Sequence, residues 1–216
     1  DAGSGESEIR KWIIENDWLE SIIQLPDRMF FNTGITTYLW IVTNKKNNKR
    51  KGKIQLIDSS KLFVNMRKNL GDKGKEISED NRKEILETYL KFEENNICKI
   101  YDNSFFGYTK VQIEQPFIED GKIKKDKKGN IKPDSSLRDY ERVSLSENID
   151  EYYDREVIPH LKDSWMDRSK DKIGYEINFT KYFYKFTPLR SLDDISQDLK
   201  SIDKEIVELS GKITNE

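Results

Sequence analysis

Two residue types that often run chemistry occur once each in this chain, as His160 and Cys98. One histidine cannot build a multi-histidine metal site, and a Ser-His-Asp or Cys-His enzyme would have to run through His160 alone. His160 follows Pro159 at the end of a short helical pattern, so it reads as a helix-end or surface residue. A lone Cys98 excludes an internal disulfide, fits a cytosolic protein and reads as a small buried apolar side chain. The carboxylate pairs Glu93-Glu94 and Asp193-Asp194 lie in helical, solvated contexts and give no reason to expect hydrolysis or a metal. Gly3-Ser4-Gly5 has the composition of a phosphate-cradling loop, but no strand precedes it, and it reads as a flexible lead-in.

Charge and apolar spacing remain. The lysine-rich segments 45–53 and 122–132 invite a phosphate-binding reading, with Lys124, Lys125, Lys127 and Lys128 as candidate DNA contacts. Each phosphate neutralised would add a salt-dependent term to affinity. Lysines in Gly- and Asn-containing turns without interleaved aromatics also read as solvated loops. The net charge of −2 supplies no global basic field to settle the matter. The clearest pattern is at the end: Leu192, Ile195, Leu199, Ile202, Ile206, Leu209 and Ile213 are spaced alternately three and four residues apart. That is a heptad seam over three repeats, opened by a Ser191–Asp194 capping box. It predicts either a terminal helix docked on its own domain or one that pairs with a partner; polar residues at nearly every other position favour the partner.

The elements that would position these residues follow from periodicity. With 36% charged, 35% hydrophobic and 11% aromatic residues over 216 positions, the chain is a globular body with solvated loops. A helix is predicted from Ser7 to about Asn16, with Ser7 or Ser4 as N-cap. Strands are predicted at Trp18–Leu25, Ile35–Thr43 and Lys53–Asp58. Tyr38 to Val42 is apolar without alternation, as in a strand buried on both faces. Lys45 to Lys51 reads as a basic turn joining the last two strands as a hairpin, so residues 1–60 look like one edge of a mostly parallel, helix-covered sheet. A second helix is predicted from Ser78 to about Phe92, with Ile85, Leu86, Tyr89 and Leu90 inward. Short strands are expected near Lys99–Asp102 and Tyr108–Gln115, a lysine-rich hairpin tip or loop at 119–134, and a helix around Ile149–His160. The stretch 175–186 is densely aromatic. The fold class expected is α/β (α+β), and no apolar run is long enough to cross a membrane. The chain starts at Asp1, without Met, on apolar strands that need neighbours, so a portion of a longer protein is expected.

The block from Ile9 to Asn44, IRKWIIENDWLESIIQLPDRMFFNTGITTYLWIVTN, closely resembles the modification subunits of type I restriction-modification systems. The resemblance continues through Lys53–Ser59, Met66-Arg67-Lys68, Arg155–His160, Gly174–Phe179, Tyr184–Phe186 and the terminal heptads; 70–132 matches loosely. It implies the C-terminal edge of a Rossmann-like, S-adenosylmethionine-dependent methyltransferase sheet over 1–60. An irregular α+β region over 61–190 and a coiled-coil docking helix over 191–216 would follow.

By that resemblance the full-length subunit is an adenine-N6 DNA methyltransferase. Its glycine-rich cofactor loop and Asn-Pro-Pro-aromatic catalytic motif are absent from this sequence, which alone should neither bind S-adenosylmethionine nor transfer methyl. Such an enzyme rotates its target base out of the duplex and stacks it on an aromatic ring. The resemblance puts that ring at Phe31, with Phe30 beside it and Asn32 shaping the turn. Adjacent side chains point to opposite sides, so one Phe could be core and the other site. The implied partners are a specificity subunit, held through the terminal helix, double-stranded DNA in the complex, and a restriction subunit indirectly, all in the cytoplasm. Two other readings stay open: a non-catalytic interaction module with a coiled-coil tail, and a piece of a single-chain restriction-methylation enzyme.

Overall fold

The computed structural model describes residues 2–186 and 188–214; of the last helix, the side chains of 208 and 211–214 lie outside the described set. Two units form, Asp1–Phe183 and Tyr184–Glu216. The first helix, α1 (Gly5–Glu15), is capped by Ser4, whose side chain accepts from the Ser7 amide at 3.4 Å. The Ser7 hydroxyl is therefore not needed as the cap. It is buried instead, and its Oγ accepts from the Tyr175 amide at 3.3 Å. Ile14 is the apolar residue α1 buries fully, and Ile13 packs against the same cluster, whereas Ile9 and Trp12 are exposed. Asn16 closes the helix by donating to the Trp12 carbonyl.

Strand β1 (Leu19–Gln24) is buried along almost its whole length. It has β2 (Tyr38–Val42) antiparallel on one side and β3 (Lys53–Asp58) parallel on the other. The sequence expectation of a β2–β3 hairpin is corrected here, because β1 lies between the two and the chain crosses over through β2. A parallel pair cannot be closed by a tight turn. The expectation of a mostly parallel sheet is corrected too: β1–β3 is its one parallel pair, the sheet order being β2-β1-β3-β6. Nor is β2 buried on both faces. It is an edge strand, with Leu39 51% exposed and Tyr38, Trp40 and Val42 exposed as well. An unbroken apolar run fixes neither edge nor centre, since only neighbouring strands decide that.

After β3 come a hairpin, β4 (Val64–Leu70) and β5 (Lys73–Glu76), and α2 (Glu79–Lys91), which opens with a capping box between Ser78 and Asn81. Ile85 and Tyr89 pack inward against Ile23, Ile57 and Cys98. Leu86 and Leu90, expected inward, face outward, because the face presented to the sheet is narrower than the apolar residues of α2. Cys98 is completely buried, and burial pushes its thiol up in pKa. It begins β6 (Cys98–Asp102), the fourth strand of the first sheet.

The second sheet is built on β7 (Gly107–Glu114). After β8 (Ile118–Glu119) and β9 (Lys122–Ile123), a small hairpin, β10 (Asp139–Ser144) returns antiparallel to β7. A single helical turn, α3 (Ile149–Tyr152), runs into a π turn at Tyr153–Val157, which covers Val111, Ile113 and Val143. The other edge of β7 carries β11 (Trp165–Met166) and β12 (Lys172–Tyr175). The aromatic stretch then folds back as α4 (Phe179–Phe183), and Phe179 and Tyr175 close the core formed by Ile14, Leu19, Ile22, Ile54 and Leu56. In the second unit, α5 (Leu192–Thr214) is opened by Ser191, whose Oγ accepts from the Asp194 amide at 3.1 Å. Among the described residues no helix is long and apolar enough to cross a membrane, and no His/Cys/Asp/Glu group could hold a metal.

Candidate functional site

The chain between β1 and β2, residues 25–37, carries Phe30, Phe31 and Asn32. Its base is pinned where the Leu25 amide donates to the Thr37 carbonyl at 2.9 Å. Pro26 is fully buried, and Arg28 turns the chain outward with a positive φ of 57°. A bridge between Phe30 and Thr33 narrows the tip, and Thr33 Oγ1 accepts from the Ile35 amide at 3.3 Å. Phe30 is 45% and Phe31 63% exposed, so neither ring plugs the core. Two large aromatic side chains held in water need a reason, because burying either would release about 1.5–3 kcal/mol.

A second element holds this loop from outside. The Asp72 amide donates to the Phe31 carbonyl at 3.0 Å, and the amides of Gly74 and Lys75 donate to the Arg28 carbonyl at 3.0 and 3.3 Å. All three donors lie on the turn or second strand of the β4–β5 hairpin. Glycine is required at Gly71, where a Cβ would stand 2.5 Å from the Phe31 backbone oxygen; one at Gly74 would stand 2.5 Å from an Arg28 guanidinium nitrogen, which would have to move aside. Gly71 also has a φ of 63°. The Lys75 ammonium is bound to Asp27, and that hydrogen bond holds the Asp27 carboxyl below the usual range. Lys73 reaches over the Phe31 ring, its ammonium 5.4 Å from the centroid. Sequence reasoning missed this hairpin; its signal was the Gly71-Asp72 pair, flanked by polar residues with no alternation.

The other predicted residues lie elsewhere. Lys124, Lys125, Lys127 and Lys128 are exposed in and beyond the β8–β9 hairpin; Lys124 pairs with Glu119 at 2.7 Å, and Asp126 organises the turn by accepting from the amides of Lys128 and Asn130. In the basic turn 45–51, Lys46 and Arg50 face inward and are buried. On α5, Leu192, Ile195, Leu199, Ile202, Ile206 and Leu209 are exposed along the helix, and the side chain of Ile213 lies outside the described residues.

A family model described as N-6 DNA Methylase matches residues 2–113, just over half of the chain. The chain belongs to the N-6 DNA methylase family. The matched span of this N-6 DNA methylase runs from α1 to β7 and takes in both the Phe30–Phe31 loop and the hairpin that clamps it. Among its relatives, the type I restriction enzyme MjaIX methylase subunit of Methanocaldococcus jannaschii is 33% identical over 128 residues, 56% of this chain and 21% of that protein. The type I restriction enzyme MpnII methylase subunit of Mycoplasma pneumoniae is 28% identical over 176 residues, 80% of this chain and 29% of that protein. This chain thus spans less than a third of either relative. A crystal structure of the type I restriction-modification system methyltransferase subunit from Streptococcus thermophilus aligns over 47% of this chain and 20% of that one. Its identity is 27% and its TM-score 0.41, a superposition too loose to define the fold.

For S-adenosylmethionine, the donor implied by the resemblance, the glycine-containing segment Gly3-Ser4-Gly5 does not form a phosphate-type cradle. Ser4 caps α1, and a Cβ at Gly3 would meet the Lys172 side chain at 3.2 Å, so Gly3-Ser4-Gly5 packs against β12 instead of opening onto a ligand. No methyl-transfer step is assigned to residues of this chain.

Proposed function

We propose that this chain is the C-terminal part of the modification subunit of a type I restriction-modification methyltransferase specific for adenine N6. In this reading residues 1–60 close the sheet of the donor-binding domain, 61–190 form the following α+β region, and 191–216 dock on a specificity subunit. The donor, S-adenosylmethionine, is held by parts of the subunit beyond this chain. The role of these residues is to receive the target base, which must leave the duplex stack before its exocyclic nitrogen can react.

The exposure of Phe31 on a loop braced from both sides carries the proposal. A ring with an open face and a fixed backbone is what a flipped adenine needs for stacking, a contribution on the order of 1–3 kcal/mol. Phe30 and Asn32 share the tip and shape the approach. In the complete subunit, Phe31→Ala is expected to lower methylation while donor binding stays intact, and Phe31→Tyr to restore it. Equal loss of donor binding and methylation, or loss of folding, would return Phe31 to a structural role.

The α5 seam supports a partner for the second unit, since its described apolar side chains are exposed along one stripe. Contact with the restriction subunit would then be indirect, and Lys124, Lys125, Lys127 and Lys128 would be secondary phosphate contacts. The same exposed seam also suits a non-catalytic interaction module. The two readings part at Phe31, whose loss would leave such a module's function untouched.

A further inference from the structure

The β4–β5 hairpin is a two-stranded sheet that no other described strand joins. Two strands alone are marginal in water. Nearly every side chain of β4 is exposed, so the pair is not held by burial in the core. Its tip is anchored by backbone hydrogen bonds to the neighbouring loop, at the carbonyls of Phe31 and Arg28. Hairpin tip and Phe31 loop therefore share one attachment and are fixed together.

The arginine on this ribbon is unlike the other arginines. Among the described residues every other arginine meets a carboxylate or a backbone carbonyl, as Arg82 does with Glu79, Arg142 with Glu176 and Arg10 with the Tyr175 carbonyl. Arg67 is exposed with neither, and Lys68 beside it likewise lacks a partner among the described residues. Lys73, at the tip, meets no carboxylate among them and lies over Phe31. Lys75, by contrast, is taken up by Asp27 and the Phe63 ring. Arg67, Lys68 and Lys73 thus place three cations without a carboxylate on one thin ribbon, beside the Phe31 ring, where they are available to an external anion.

We propose that the β4–β5 hairpin grips the DNA backbone beside the flipped base, with Arg67, Lys68 and Lys73 as its phosphate ligands, an inference that rests on the stacking role of Phe31. Arg67 and Lys68 are adjacent and both exposed on β4, in the stretch between Asn65 and Leu70 where its pairing with β5 is irregular. A two-stranded ribbon fits the major groove, where exposed cations would meet the phosphate backbone. Lys73 then fixes the phosphate nearest the extruded nucleotide, on the same clamp that holds the ring. A base can be stacked reproducibly only if its own backbone is held in register with the platform.

The test is the salt dependence of binding a mixed-sequence DNA duplex by the complete methyltransferase assembly containing this chain. Replacing Arg67, Lys68 and Lys73 with Gln should flatten the slope of log K against log salt by about 0.9 for each phosphate no longer neutralised. Phe31→Ala should leave that slope unchanged and reduce methylation. If the triple variant keeps the parental slope, the hairpin does not bind phosphate, and an impaired Phe31→Ala would show that the stacking role stands without it. A flattened slope with a fully active Phe31→Ala would overturn the stacking role and the hairpin's part in base extrusion together. Should the triple variant melt early, Arg67→Gln and Lys73→Gln made singly must each flatten the slope by one phosphate's share, and no change in either refutes the proposal.

Discussion

The Asp72 amide and the Phe31 carbonyl, forty-one positions apart in sequence, meet at 3.0 Å, with Gly71 filling the space between their chains. Through that bond a polar hairpin sets the height of an exposed aromatic ring.

Gly71→Ala should break the arrangement, because a methyl group would collide with the Phe31 carbonyl and the positive φ adds strain. None of the three hydrophobic clusters includes a residue of this turn, so circular dichroism and melting should change little. Methylation by the complete enzyme should fall on the order of 10²-fold, as expected when a reacting group is displaced by about an ångström. Unchanged turnover would mean that the loop holds its shape without the hairpin.

The sequence made some of this visible and hid the rest for physical reasons. The caps at Ser78 and Ser191 and the strands β1 and β3 are local patterns, and local patterns persist in the fold. The placement of β2 at an edge depends on which strand comes to lie beside it, which no window of residues encodes. Phe31 was reachable through resemblance alone, since nothing about Phe30-Phe31-Asn32 states that both rings stay in water. The clamp was hidden because it is made of backbone amides and glycines, which leave little trace in side-chain pattern. Arg50, in what reads as a solvated basic turn, is buried.

Arg50 yields a stability prediction. Its guanidinium stacks between the rings of Tyr89 and Phe92, 4.3 and 4.4 Å from their centroids, donates to Gln55 at 2.9 Å and faces Glu20 at 3.6 Å. Arg50→Ala would leave the Glu20 carboxylate buried without its cation, a loss of about 3–5 kcal/mol. Arg50→Lys should recover little of it, because a point charge cannot make the planar contacts. Urea denaturation measures both; a loss under about 1 kcal/mol would mean that water reaches the pair.

Asp17 predicts an acid limb. Burial pushes its carboxyl up, but hydrogen bonds from Lys46 at 2.5 Å, the Gly52 amide at 3.0 Å and Asn103 at 2.9 Å outweigh this and hold it below its ordinary value. A depressed folded-state pKa contributes stability that is fully present above the unfolded value of about 3.9 and is lost as pH falls through the folded value. The stability difference between the parent and Asp17→Asn should thus be constant near neutrality and shrink below about pH 4. A difference that stays level down to the acid transition would show that the carboxylate is not the group responsible.

For α5, replacing Ile202 and Ile206 with Lys places two charges on the exposed seam. Assembly with a specificity subunit should be lost, while the melting of the Asp1–Phe183 unit stays as in the parent. Size-exclusion chromatography with light scattering reads the first, and differential scanning calorimetry the second. Assembly that survives both charges would move the contact away from this stripe.

The burial of Cys98 opens a practical route to these questions. Its sulfur lies in the interior, accepting a hydrogen bond from the Gln55 amide at 3.2 Å, and its thiol is shifted away from the reactive thiolate. Maleimide or nitroxide reagents should pass it by while the protein is native. A cysteine introduced at exposed Ser201 on α5, or at exposed Asn69 on β4, would then be the position that takes the label, with the native thiol left in place. Fluorescence anisotropy at the first site would report partner capture, and quenching at the second the arrival of duplex. The chain is thus already suited to spectroscopy at any chosen surface point.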